Sequence, residues 1–217
     1  ASAPTVETIG PLSIGNLNNV ERNRCRLAVA GSGGQTAALR FSTLNVRGDN
    51  TVDFAPGADG AILTSGATNI PSVGICGVRM TYNGSSYARI GGTAAGGYYP
   101  VEALPDGAYA TAFDGGTLFE LVDVAGAMSV ASAETVAALR FNDGSGPSTL
   151  TLNAALNMLG ENGTSNPSQG AVLVTPNVGA HATLIDGSGT LAANGLNGWL
   201  HVHQYNTAAP LTIASRI

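Results

Sequence analysis

The sequence predicts an all-β chain whose short strands stack as a solenoid. Three observations carry this reading. Tight-turn dipeptides recur from end to end, the apolar runs between them alternate with a period of two, and one strand phrase is written twice. Asp-Gly stands at Asp59, Asp106, Asp114, Asp143 and Asp186, and Asn-Gly at Asn83, Asn162, Asn194 and Asn197. Glycine accepts a positive φ without steric penalty and Asn or Asp tolerates one, so each pair marks a tight turn. The phrase Ala-Ala-Leu-Arg-Phe begins at Ala37 and again at Ala137.

In chain order, VERNRCRLAV places Arg22, Arg24 and Arg26 on one strand face and Cys25, Leu27 and Val29 on the other. Such an arginine stripe can grip a sulfated or phosphorylated polymer. The preferred reading is a charged strand that discourages edge pairing. The first AALRF turns Ala37, Leu39 and Phe41 toward a core and Arg40 away from it. Strands follow at Thr51–Phe54 and Ala61–Ser65, rich in the β-branched residues that suit a pleated surface.

The segment Ile70–Pro105 breaks the rhythm and holds Tyr82, Tyr87, Tyr98 and Tyr99. It reads as a long loop excursion, the place where a repeat scaffold carries function. Tyrosine supplies a rigid contact face and a hydroxyl at small entropic cost, so these four residues are the candidate recognition surface. The alternative is that their rings fold back as a cap.

A strand at Thr117–Val124 precedes the second AALRF, with Leu139 and Phe141 inward and Arg140 outward. From Leu150 to Met158 the even positions are Leu150, Leu152, Ala154, Leu156 and Met158. That period of two outweighs the helix propensity of Ala, Leu and Met and predicts one continuous strand. Further strands are expected at Ala171–Thr175, Ala182–Asp186, Leu200–Tyr205 and Leu211–Ala214. GAILTSG follows the first AALRF and GAVLVTP the second, so strands recur in similar order with loops of unequal length, as in a solenoid. The expected division is residues 1–34 as an N-terminal strand or cap, 35–133 as a first repeat block with the excursion at about 70–105, and 134–217 as a second block of one continuous solenoid. A β-sandwich or jelly roll is the alternative, because short strands at roughly 8–12-residue spacing fit it too.

Composition narrows the function classes. Of 217 residues only 11% are charged, the net charge is −5, and all nine basic residues are arginine. A generic nucleic-acid binder would need a basic footprint. Mean hydropathy is +0.16, yet no run approaches the roughly 18 apolar residues of a membrane helix. The apolar residues therefore serve a core or an interface. The opening ASAPTVE is small and polar, as after signal-peptide removal, and predicts export to the extracellular space or the bacterial cell surface. In that compartment Cys25 and Cys76 are expected to form a disulfide, the alternative being two buried thiols.

The phrases AALRFNDG…STLTLN, GAVLVTPNVGAHATLIDGSGTLAANG and WLHVHQYNTAAPLTIASRI resemble bacterial autotransporter-like passenger proteins with autotransporter-associated β-strand repeats. The similarity spans Glu134–Ile217 and runs more loosely over Gln35–Asp114, where GVRMTYNGSSYARI is similar to the family's Tyr-Asn-Gly excursion. The resemblance implies a right-handed parallel β-helix, export, adhesive or surface-structural roles, and no catalytic residues.

Two further motifs carry chemistry. Arg47-Gly48-Asp49 resembles the cell-attachment tripeptide of integrin ligands, although Gly-Asp-Asn equally suits an ordinary turn, the preferred reading. His201 and His203 share one strand face and could share a metal, but His181 is the only other histidine. The preferred reading is a polar outer face of Trp199, His201, His203 and Tyr205 opposite Leu200 and Val202, with no metal and no cofactor. Acidic residues are scattered, five of them before glycine in turns, and no Ser-His-Asp order or phosphate loop is present. The expected function is a non-catalytic structural or adhesive module. A self-assembling filament or surface-layer subunit is the alternative, and a carbohydrate-active β-helix enzyme the second. The expected partners are a second copy, a surface glycan or a protein, with no nucleic acid and no membrane insertion.

Overall fold

The computed structural model describes residues 5–15, 23–47, 50–66, 69, 73–92, 96–115, 120–159, 169–193 and 198–217. The chain is all-β, and its only helical elements among these residues are two 3-10 turns, Asp106–Ala108 and Pro176–Val178. It divides into two compact units: Ala1–Asn83 with Tyr87–Leu104, and Gly84–Ser86 with Pro105–Ile217. The boundary thus falls at Leu104 rather than at the expected residue 134. Residues 110 and 120–130 join the second unit because their backbone pairs there, beginning with the bridge of Ala110 to Val122.

In the first unit the strands are β1 (Thr5–Thr8), β2 (Leu12–Ile14), β3 (Arg24–Val29), β4 (Ala37–Phe41) and β5 (Leu44–Val46). They continue as β6 (Thr51–Pro56), β7 (Gly60–Thr64), β8 (Met80–Tyr82), β9 (Ser86–Ile90) and β10 (Tyr99–Ala103). Three parallel ladders run β1–β4–β7, β2–β5 and β3–β6–β8. β10 closes the sheet by pairing antiparallel with both β7 and β9. The expected loop excursion therefore contributes three strands, β8, β9 and β10, to the sheet. The Asn83-Gly84 turn, with both residues at positive φ, sets β8 beside β9.

The second unit contains β11 (Glu120–Val124), β12 (Ala127–Val130), β13 (Glu134–Phe141), β14 (Ser148–Leu152) and β15 (Leu156–Met158). β16 (Gln169–Val174), β17 (Thr183–Asp186), β18 (Leu191–Ala193), β19 (Trp199–Gln204) and β20 (Leu211–Ile213) complete it. Every ladder here is parallel: β11–β13–β16–β19, β12–β14–β17–β20, and the start of β13 with β15 and β18. Such pairing is foreign to a sandwich of antiparallel strands. The expected single strand Leu150–Met158 bends at Asn153–Ala155 into β14 and β15. Its alternation survives the bend, since Leu150, Leu152, Leu156 and Met158 all reach one core with Val122, Val124, Leu139, Phe141, Val172 and Ile185.

The two AALRF phrases are β4 and β13, each inside a parallel ladder. Phe41, Leu139 and Phe141 are fully buried. Leu39, expected to be buried, is only half-covered. Its register partners are Ile62 on β7 and Glu7 on β1, whose residues are all exposed, so one side lacks an apolar neighbour. Arg140 points away from the apolar core as expected, yet it is 1% exposed. In β19 the expected burial is inverted at two positions, while Leu200 packs against the core as expected. Val202 stacks in register on Val172 and Leu139 but is 47% exposed, because β19 ends its ladder among the described residues, whereas His203 is buried.

Candidate functional site

A cleft of about 560 Å³ opens in the first unit, lined by Ser65, Asn69, Arg89, Ile90, Gly91, Gly92 and Tyr99. That size lies within the range of small-molecule sites. Its floor is made by the antiparallel pairing of β9 and β10, which sets Arg89 directly opposite Glu102. The Arg89 Nη2 donates to Glu102 Oε1, and both side chains are about one-third exposed. A side chain at Gly91 would overlap the Glu102 carboxylate, so glycine is what admits the ion pair. Asn69 docks on β9 as a strand residue would: its Nδ2 donates to the Ile90 carbonyl and its Oδ1 accepts the Ile90 N–H, both at 2.7 Å. Tyr99 leaves 42% of its surface exposed at the edge of the cleft.

The four candidate tyrosines thus separate. Tyr87 is fully buried, and Tyr82 is half-buried against the core of its unit. Burial, and then the Glu102 charge, hold the Tyr82 hydroxyl above its usual pKa. The Tyr98 ring lies under the Arg40 guanidinium, 5.1 Å from centroid to Cζ, a cation–π contact. Only Tyr99 faces the cleft. Sequence reasoning missed Arg89, Glu102, Asn69 and Ser65. The Arg89–Glu102 pair was readable only from the strand register, which places these two charges in direct opposition.

A second polar cluster lies in the other unit around Arg140. Its Nε and Nη2 donate to Asp123 at 3.0 and 2.6 Å, and its Nη1 donates to Asp106 at 2.8 Å. The guanidinium sits 3.7 Å from the centroid of the Tyr109 ring, and the Tyr109 hydroxyl lies 2.9 Å from Ser86 Oγ. Burial opposes the charge, but the Asp123 hydrogen bond together with Tyr109 and Asp106 leaves the Arg140 pKa raised. A bidentate carboxylate, a second carboxylate and the Ser85 carbonyl accept from this fork while the Tyr109 ring covers its face, so the cluster is a clamp between segments.

The remaining candidates are placed as follows. Arg47 is described and Gly48 and Asp49 lie outside the described residues; Asn50 Nδ2 donates back to the Arg47 carbonyl, as in a turn. Arg24 and Arg26 lie on β3, at one end of the sheet order, while Arg22 lies outside the described residues. Arg26 is 3.7 Å from Asp53 and largely exposed. His201 and His203 stack with ring centroids 6.4 Å apart. Among the described residues no group of three or more His, Cys, Asp or Glu could hold a metal ion, and none of their helices is long and apolar enough to cross a membrane.

The expected disulfide is corrected: Cys25 and Cys76 are both free thiols. The Cys76 N–H donates to the Ala88 carbonyl on β9, whereas Cys25 sits on β3 in register with Val52 of β6. Cys76 packs against the core, and burial pushes its thiol up to about 12 from an ordinary 9.0. Native protein at about pH 8 is expected to react with iodoacetamide at Cys25 and not at Cys76, since the thiolate is the reactive form. Denatured, unreduced protein should take up label at both; failure of both to label would restore the disulfide. Above pH 9.0 the unfolded chain sheds a proton that the folded chain keeps, so this contribution to stability, complete below pH 9.0, fades as pH climbs toward 12.

The sequence matches no protein-family model, and no curated protein or solved structure matches it.

Proposed function

We propose that this chain is a non-catalytic structural and adhesive module, a right-handed β-solenoid of the autotransporter-passenger kind, exported and displayed outside the cell. Parallel ladders joining strands that recur along each unit support the solenoid reading. The single observation that carries adhesion is the Tyr99-edged cleft, formed where β9 and β10 interrupt the repeat. The test is adhesion of beads coated with the chain to surfaces bearing polysaccharide or protein. Adhesion that falls severalfold with Tyr99→Thr, a substitution suited to a strand, supports the reading. Equal adhesion of both proteins, or none to any surface, overturns it.

A second reading, a self-assembling subunit, is favoured by β19. Among the described residues β19 ends its ladder, and this strand, Trp-Leu-His-Val-His-Gln, carries no Lys, Arg, Asp or Glu and no proline, the usual guards against edge pairing. Electron microscopy of the same preparation separates the two: ordered polymers identify a subunit, and dispersed particles an adhesive module.

A further inference from the structure

We infer that the cleft binds a neutral carbohydrate, a hexose segment of a glycan chain, and holds it without cutting it. This rests on the reading of the cleft as a recognition site and names its ligand class. The walls offer two kinds of group. The exposed Tyr99 ring presents an apolar face with a hydroxyl at its rim. Ser65 and Arg89 present polar groups. A pyranose matches this set, because it has flat C–H faces and a rim of hydroxyls that both donate and accept.

Charge selects within the carbohydrates. Arg89 is the only charged residue lining the cleft among the described residues, and it is already paired with Glu102. The pair is net neutral, so a carboxylated, sulfated or phosphorylated ligand meets no uncompensated cation. The nearby guanidinium of Arg40 is engaged by Tyr98. A fully apolar ligand would strip water from Arg89 and Ser65 without returning hydrogen bonds. Glycoside hydrolysis uses two carboxyl groups flanking the bond, and the described lining holds none.

The probes are cellotetraose, a neutral β-1,4-linked chain with flat apolar faces, and tetragalacturonate, its acidic counterpart. Each is titrated into the isotope-labelled full chain and followed by amide chemical shifts. Cellotetraose is expected to bind with a Kd of about 1 mM or tighter, moving the amides of Ile90–Gly92 and Tyr99, and to be recovered intact. Tyr99→Thr should weaken it about tenfold, in line with the loss of an aromatic contact, and Tyr99→Phe should retain most of the affinity. Glu102→Gln leaves Arg89 uncompensated and should shift the preference toward tetragalacturonate.

Several outcomes overturn the inference: no shift with cellotetraose, shifts mapping elsewhere, a wild-type preference for the acidic chain, or shortened product. The wild-type shift map decides the matter even if a variant misfolds. Adhesion to protein-coated beads that needs Tyr99, with no response to cellotetraose, overturns the carbohydrate assignment and leaves the recognition site standing.

Discussion

Arg140→Ala is expected to lower the unfolding free energy by about 3–5 kcal/mol, the range for removing one partner of a buried ion pair. The guanidinium is 1% exposed and Asp123 only 22%, so the substitution leaves a largely buried carboxylate facing a cavity. Most of the effect comes from Asp123, because Asp106 is 82% exposed and exchanges its partner for water at little penalty. Tyr109 loses the cation over its ring at the same time. The double variant Arg140→Leu with Asp123→Asn should recover most of the loss, since the register partner of Arg140 on β16 is already a leucine, Leu173. Urea denaturation of the three proteins measures this. A loss below about 1 kcal/mol for Arg140→Ala, the value of an exposed pair, would show that water reaches the clamp.

Phe141→Ala and Phe41→Ala should each cost about 3–5 kcal/mol, the transfer term plus the cavity left behind. Both rings are fully buried, Phe141 among Val124, Leu150, Val174 and their neighbours, and Phe41 among Val52, Phe54 and Ile62. The leucines of the same phrase should part company. Leu139→Ala falls in the full range of a core truncation, while Leu39→Ala costs visibly less because Glu7 lies beside it in place of an apolar residue. Thermal unfolding of the four variants orders them directly, and equal losses for Leu39 and Leu139 would contradict the difference in burial.

These residues also show what was legible in the sequence. The alternation in AALRF and STLTL is a local property, so strands and their inward faces could be read without knowing their partners. Partner identity is non-local. Nothing inside Ala138–Phe141 announces that Ala171–Val174 lies beside it and parallel to it. The bend at Asn153–Ala155 was hidden for the opposite reason: the inward alternation continues through it, so the pattern looks uninterrupted. Tyr87 and Arg140 misled because hydropathy assigns them to the surface. Arg140 is buried by segments that arrive from elsewhere in the chain, its clamp drawing on positions 85, 106, 109 and 123. The cleft was legible as a region, through its tyrosines and glycines, and illegible as a set of groups until register placed Arg89 against Glu102.

The parallel ladders bear on how the molecule comes into being. Ala138 pairs with Ala171, and Ala171 with His201, so each strand waits only for the next thirty or so residues before its edge is satisfied. A chain delivered N-terminus first can therefore add order one rung at a time, each new strand templated by the backbone groups of the one before. Sequence separations of this kind delay pairing less than contacts between distant ends of a chain. The growing edge is then always the most recent strand. Among the described residues this ladder ends at β19, a strand that lacks the charges β11 carries at Glu120 and Asp123 and β13 at Glu134 and Arg140.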